Sequence, residues 1–283
     1  MSVTRGDALH FASRLPLALI FRAVGAPFRL LRQSCEDVNQ SGSMNILFLI
    51  TARGGSKSVP RKNLSEIGGI SLIGFKATAA LRSKYCTRLI ISSDDVELQQ
   101  NALSYGAEVP FTRPVELATD TASSFDVIRH AMDWIEANTN ERYEAIMLLE
   151  PSAPFATWVD FDNAVEMMLD RDASAVIGMR EMEINSVFVG ELDEAGRMTQ
   201  VIDQMKKRYL RRQDTRPEYT MNGALYLFKW DLFKEHHTMY VDRENTYGYV
   251  MDRYHSIEID EPIDLQWARF LVDKGYVDLS YWK

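Results

Sequence analysis

Ile46-Leu47-Phe48-Leu49-Ile50 runs directly into Thr51-Ala52-Arg53-Gly54-Gly55-Ser56-Lys57-Ser58-Val59-Pro60-Arg61-Lys62-Asn63. A short, wholly apolar run bounded by glycines reads as a strand buried on both faces, the kind found in parallel sheets. The segment after it sets Arg53, Lys57, Arg61 and Lys62 around Gly54-Gly55-Ser56. A glycine turn at a strand end lets backbone N–H groups come close to an anion, and fixed cations beside it make a pocket suited to a polyphosphate. A solvated basic turn is the plainer alternative. Neither of the two commonest nucleotide signatures is present, because the loop lacks both the G-x-x-x-x-G-K-[ST] spacing and the G-x-G-x-x-G fingerprint.

Downstream, apolar runs alternate with helical spacing. Helices are expected over 72–83, 96–105, 123–137, 158–169 and 263–274, with Thr121 or Ser123 as a cap for the third. Strands are expected over 88–92, 145–149, 173–178, 224–228 and 257–259. This order predicts an α/β fold, a mostly parallel sheet covered by helices on both faces. Ligands of such sheets sit beyond the carboxyl ends of the strands, where the loop 51–63, Asp94-Asp95 and Glu150-Pro151 all fall. From about 183 to 220 the alternation gives way to short polar segments, with Gly190 to Gly196 reading as a hairpin insertion.

The chain has 283 residues, and a net charge of −8 argues against general nucleic-acid binding, which calls for a basic face. Basic residues concentrated in one loop of an acidic protein point instead to a local anion site. Cys35 and Cys86 form neither a disulfide framework nor a metal spacing, as expected of a cytoplasmic protein, and no apolar run is long enough to span a bilayer. Residues 1–43 are poor in acidic residues before Glu36 and carry an apolar stretch from Leu15 to Leu31 broken by Arg22. They read as an N-terminal extension without chemistry: translated from an upstream start with Met44 as initiator, or an amphipathic membrane-surface or targeting segment, with a cleaved secretory signal disfavoured by the interrupted apolar stretch. The working domain is expected over 44–283.

The loop, taken in residue order, resembles the signature A-R-x-G-S-K-x-x-P-x-K-N of the acylneuraminate cytidylyltransferases, the CMP-sialic acid or CMP-nonulosonate synthetases. Further segments agree in the same order. They are Ile90-Ile-Ser-Ser-Asp-Asp95, Arg113-Pro-Val-Glu-Leu-Ala-Thr-Asp-Thr-Ala-Ser-Ser124, Leu148-Leu-Glu-Pro-Ser-Ala-Pro154, Arg211-Arg-Gln-Asp214, Asn222-Gly-Ala-Leu-Tyr226 and Ser256-Ile-Glu-Ile-Asp260. The resemblance spans about residues 44–275. It implies a Rossmann-like, GT-A-like nucleotidyltransferase fold with a small dimerisation extension at about 183–220. It also implies transfer of CMP from CTP to an acidic 2-keto sugar, with pyrophosphate released.

Carried over position by position, the resemblance makes Arg53, Lys57 and Lys62 catalytic through the triphosphate. It places Ala52, Arg53, Gly54, Lys57, Lys62, Asn63, Arg113, Ser123 and Ser124 on the nucleotide. Glu150, Arg212, Gln213 and Asn222 fall on the sugar. Mg2+ is the expected cofactor, since it takes hard oxygen ligands from a few carboxylates, waters and phosphates. Glu258 and Asp260, two apart on an expected strand and so on one face, are its candidate ligands. The family has aspartate at the first of these positions, and Glu258 is one methylene longer.

Departures gather at the sugar end. Glutamine is usual where this chain has Glu150, and in some bacterial members a lysine aligns near Phe188 and an arginine at Thr220. The acceptor is therefore open among sialic acid, related nonulosonates and an octulosonate. The same chemistry with GTP, a GT-A-type glycosyltransferase and a non-catalytic nucleotide-binding protein are the competing classes. A homodimer is expected.

Overall fold

The computed structural model describes residues 44–55, 58–207 and 216–283. Lys57, Arg212 and Gln213, along with the extension 1–43, lie outside the described residues.

The apolar run forms β1 (Ile46–Thr51), paired in parallel with β4 (Cys86–Ser92) on one side and β5 (Ala145–Leu149) on the other. Period-2 geometry turns Ile46, Phe48 and Ile50 to one face and Leu47 and Leu49 to the other, and all five have no solvent exposure. Both faces of β1 are therefore core, which is why it carries no polar residue before Thr51. The first face is covered by α1 (Leu72–Arg82), α2 (Val96–Ser104), α4 (Trp158–Arg171) and α7 (Pro262–Asp273), and the second by α3 (Ser124–Asn138) and α6 (Trp230–His236). A two-stranded hairpin, β2 (Glu66–Ile67) and β3 (Ile70–Ser71), precedes α1.

The six-stranded sheet has the order β4-β1-β5-β7-β6-β8, where β6 is Ala175–Glu181, β7 Tyr219–Lys229 and β8 Thr246–Val250. All neighbours are parallel except at β7, which runs antiparallel between β5 and β6. Strand β8 and helices α5 (Thr199–Lys207) and α6 were not expected from the sequence. Two expected elements are absent. Gly190 to Gly196 forms no strands, and its turn is held by the Asp193 carboxylate, which accepts from the Ala195 and Arg197 N–H groups. Residues 257–259 are not a strand either. This stretch is an extended strap tied to the loop after β5, where Ile259 N donates to Ser152 O at 2.7 Å.

Candidate active site

The loops after β1, β4 and β5 gather at the carboxyl ends of the strands. The loop after β1 is built on β4: Ala52 N donates to Ser92 O at 3.1 Å, and Gly54 N donates to Asp94 Oδ1 at 3.1 Å. A Cβ on Gly54 would stand 2.7 Å from Asp95 Oδ2 and 3.0 Å from its Cβ, so no larger residue fits without moving Asp95. Asp95 is itself held as the N-cap of α2, accepting from Glu97 N and Leu98 N. The adjacent carboxylates thus divide the labour, Asp94 shaping the loop and Asp95 capping the helix.

Asn63 is buried in the 3-10 turn Lys62–Leu64, and its amide reaches back to Arg53 O at 3.4 Å. Arg53 is half-exposed and pairs with Asp120 at 2.8 Å. Lys62 reaches across to the strap, donating from Nζ to Ile259 O at 2.8 Å and to Asp260 Oδ1 at 3.2 Å. This joins the cationic loop to the acidic segment nearly two hundred residues later. Asp264, in the first turn of α7, accepts from the Asp260 and Glu261 N–H groups, so the helix start fixes the backbone that presents Asp260.

Arg113 is buried at the end of β4, donating from Nε to Ser92 Oγ at 3.0 Å and from Nη2 to Ser92 O at 2.5 Å. Burial lowers its pKa to about 10; Asp94 opposes that fall and the Arg53 charge adds to it. Ser123 caps α3 by accepting from Phe125 N, and Ser124 opens the helix exposed.

Glu150 directly follows β5. Gly223, at φ +65°, lies between two carboxylates: a Cβ there would meet Glu258 Oε1 at 3.0 Å and Glu150 Oε2 at 3.4 Å. Burial first, and then Glu258, pushes Glu150 up to about 7. Burial, then Asp260, raises Glu258, while the positive charges of Arg180 and Lys62 act against that rise. Asn222 is buried and its amide is committed to protein groups. Its Nδ2 donates to Ser256 Oγ at 3.1 Å, and its Oδ1 accepts from Ala224 N at 3.1 Å. It shapes this wall from behind rather than presenting a free amide. Of the positions that depart from the family pattern, Thr220 stands opposite Arg180 in the β6–β7 ladder, and Phe188 closes a 3-10 turn over 186–188.

Three groups were not singled out from the sequence. Arg180 is exposed, and its side chain has no ion-pair or hydrogen-bond partner among the described residues. Its place opposite Thr220 is a matter of strand register, which residue spacing does not show. Asp120 pairs with Arg53 from within the Arg113–Ser124 segment. Lys76 was legible as a lysine on the apolar stripe of α1, in line with Leu72, Ala79 and Ala80. It has no solvent exposure, and burial lowers its pKa to about 7 against the pull of Asp160 and Glu150.

In the unfolded chain Lys76 titrates near 10.5. Between about 7 and 10.5 the unfolded chain holds a proton that the folded one has released, so this side chain makes stability rise with pH across that window. Urea unfolding of wild type and Lys76→Met from pH 6.5 to 10 is expected to show a stability difference that moves in favour of wild type as pH rises. A difference flat with pH would contradict the burial of a titrating amine here.

Among the described residues no three His, Cys, Asp or Glu side chains gather as a metal site, and no helix is long and apolar enough to cross a membrane.

Residues 47–274 match the family Cytidylyltransferase. The chain is 32% identical over 228 residues to the CMP-N,N'-diacetyllegionaminic acid synthase of Campylobacter jejuni, covering 80% of this chain and 94% of that protein. It is 30% identical over 231 residues to the post-translational flagellin modification protein B of Campylobacter coli, with the same coverage. It is 30% identical over 226 residues to the N-acylneuraminate cytidylyltransferase of Escherichia coli, covering 79% of this chain and 51% of that one. The solved structure of CMP:2-keto-3-deoxy-manno-octonic acid synthetase complexed with CTP superposes with a TM-score of 0.59 at 15% identity, over 82% of this chain and 99% of that one, and shares the fold. The glycosyltransferase reading is thereby set aside. A cationic loop after β1 meets an acidic strap beyond the strand ends, and the chain belongs to the cytidylyltransferase family, in its acylneuraminate (CMP-nonulosonate) branch.

Proposed function

We propose that this protein joins the CMP moiety of CTP to the anomeric hydroxyl of an acidic 2-keto sugar of the legionaminic, pseudaminic or sialic acid type. The observation that carries this reading is the bridge from Lys62 to Ile259 O and Asp260. It brings the cations suited to a triphosphate into register with the carboxylates suited to a metal. The names of the relatives, which are CMP-legionaminic, pseudaminic and N-acylneuraminate enzymes, support the substrate class.

In the reaction the sugar hydroxyl oxygen forms a bond to the α-phosphorus, the bond from that phosphorus to the bridging oxygen breaks, and pyrophosphate leaves with the electron pair. The hydroxyl proton passes to solvent. Such a transfer is governed by positioning and by charge placed where charge develops. Arg53, Lys57 and Lys62 act on the departing phosphates. Arg113, Ser123 and Ser124, with the backbone of Ala52 and Gly54, frame the cytidine end, and Asn63 holds the loop through Arg53 O. On the sugar side Glu150 takes hydroxyl or amide N–H groups. Arg180, unpaired and across from Thr220, supplies the positive charge that the sugar carboxylate needs beside two acidic walls. Arg212 and Gln213 are assigned to the sugar by motif position alone, since they lie outside the described residues.

Magnesium fits the donor set. Burial first, and then the Asp260 charge, raises Glu258, a cost that a cation would relieve, and an ion that keeps waters and binds substrate phosphate needs few protein ligands. Glu258 and Asp260 would hold it. When bound, the ion neutralises triphosphate oxygens. Asp260→Asn is expected to raise the magnesium concentration for half-maximal rate by about tenfold or more. An unchanged magnesium titration would remove Asp260 from that role.

We infer that a second copy of the chain packs against the extension; the support is the exposure there of Met182, Ile184, Leu192, Met198, Ile202 and Met205. Incubation with CTP, magnesium and a panel of N,N'-diacetyllegionaminate, pseudaminate, N-acetylneuraminate and an octulosonate, followed by mass analysis, tests the proposal. A CMP adduct of one nonulosonate supports it. An adduct of the octulosonate alone would move the substrate class.

A further inference from the structure

Lys76 lies in the core beneath the acceptor wall, and no step above uses it. Its surroundings are set by an irregularity in β7. The β6–β7 register shifts between Ile177 and Met179, so residues 222–225 stand against Gly178 alone. The bulge presses on that glycine: a Cβ there would meet Asn222 Oδ1 at 2.6 Å and Leu225 O at 3.3 Å. A bulge leaves backbone groups without ladder partners, and buried ones must find others. Ala224 N finds Asn222 Oδ1, and Ala224 O accepts from Lys76 Nζ at 2.7 Å. The same bulge sets Gly223 at φ +65° between Glu150 and Glu258.

An ammonium has three N–H groups, and Ala224 O is the hydrogen-bond acceptor found for this one among the described residues. The amine also lies 5.8 Å from the centre of the Phe161 ring, and the charges of Asp160 and Glu150 act on it. Asp160 is already engaged, with Oδ2 accepting from Thr157 N and Oγ1 and Oδ1 accepting from the Tyr249 hydroxyl. Glu150 has no such partner among the described residues. Leucine or methionine would fill this point of the α1 stripe without the cost of burying a charge.

We propose that Lys76 is a positioning residue for the acceptor pocket, pinning the Gly223–Ala224 bulge through Ala224 O and balancing the Glu150 carboxylate from beneath so that it can receive the sugar's hydroxyl or N–H groups. The proposal rests on Glu150 being a wall of the acceptor site. Glu150 then belongs to a two-residue unit, and neither member acts alone.

The test compares full-length wild type, Lys76→Met, Glu150→Gln and the double variant. The readouts are KM for whichever of N,N'-diacetyllegionaminate, pseudaminate or N-acetylneuraminate the wild type accepts, KM for CTP, and the urea midpoint. Lys76→Met is expected to raise the sugar KM by about tenfold and to leave the CTP KM within about twofold. Adding Glu150→Gln removes the unbalanced carboxylate, so Lys76→Met should raise the sugar KM less in the Glu150→Gln background than in wild type, and the double variant should unfold at higher urea than Lys76→Met. Equal rises in both KM values, or effects of the two substitutions that multiply, would overturn the proposal. If wild type accepts none of the three sugars, the functional reading is what has failed. The urea cycle then decides the pairing by itself, since coupled midpoints uphold it and additive ones overturn it.

Discussion

Lys62→Met is expected to lower kcat by about 10²- to 10³-fold in a protein that still folds. Lys62 is mostly buried along its stem, and its amine is shared between Ile259 O and Asp260 Oδ1 at 2.8 and 3.2 Å. Its charge also acts on Glu150 and Glu258. Removing it takes a cation from the departing pyrophosphate and leaves the acidic strap and the acceptor wall without their nearest balance on the loop side. Charge grows on the leaving group as the bond breaks, so the loss should fall on kcat more than on the KM for CTP. Lys62→Arg should recover part of the rate, because a positive charge remains. Steady-state rates together with unfolding curves check this. A kcat within about threefold of wild type would show that the bridge is structural only.

Gly223→Val is expected to abolish most acceptor use while leaving CTP binding in place. Two costs fall on one position. A β-branched residue at φ +65° is strained by about 1–3 kcal/mol. Its Cβ would also enter the gap between Glu258 Oε1 and Glu150 Oε2, with 3.0 Å to the first. Gly223 lies in β7, whereas the cationic loop after β1 is carried by contacts to β4. CTP titration should therefore change little while kcat/KM for the sugar falls by about a hundredfold or more, the size of effect that misplacing a substrate produces. Equal loss of both substrates would mean that Gly223 serves the nucleotide as well.

Much of this organisation is legible in the sequence. Ile46 to Ile50 announced a strand with two buried faces, and α1 to α4 and α7 fall within a few residues of their expected bounds. Helical stripes and caps such as Ser123 are local signals. The failures share a cause, which is that the deciding partner is far away in sequence. Ile257-Glu258-Ile259 alternates like a strand, but its backbone bonds to Ser152 instead of a neighbouring strand, so the alternation serves a strap. Thr246 to Val250 was missed because a glycine and two tyrosines at the sheet edge give weak patterning. The antiparallel sense of β7 follows from chain routing, which a residue pattern does not contain.

The site divides in the same way. Arg53, Gly54, Lys62, Asn63 and Arg113 are proposed for the site from their motifs, and the structure gives Gly54 and Asn63 local contacts to Asp95 and Arg53. Asn222 kept its motif identity, yet its amide is spent on the bulge. Arg180 and Lys76, which we propose for the acceptor side, were not singled out by any motif, because the first depends on cross-strand register and the second lies in the core. Glu150, which departs from the family pattern, thus has a cation beneath it on α1.

The most direct test of the whole account is pyrophosphate release by purified full-length protein with magnesium and each of CTP, UTP, GTP and ATP, with and without N,N'-diacetyllegionaminate, pseudaminate or N-acetylneuraminate. The account predicts release with CTP that depends on one of the sugars and stops at one pyrophosphate per sugar consumed. Sugar-dependent release with another nucleotide in preference to CTP, or no release with any pair from a folded protein that binds CTP, would contradict it.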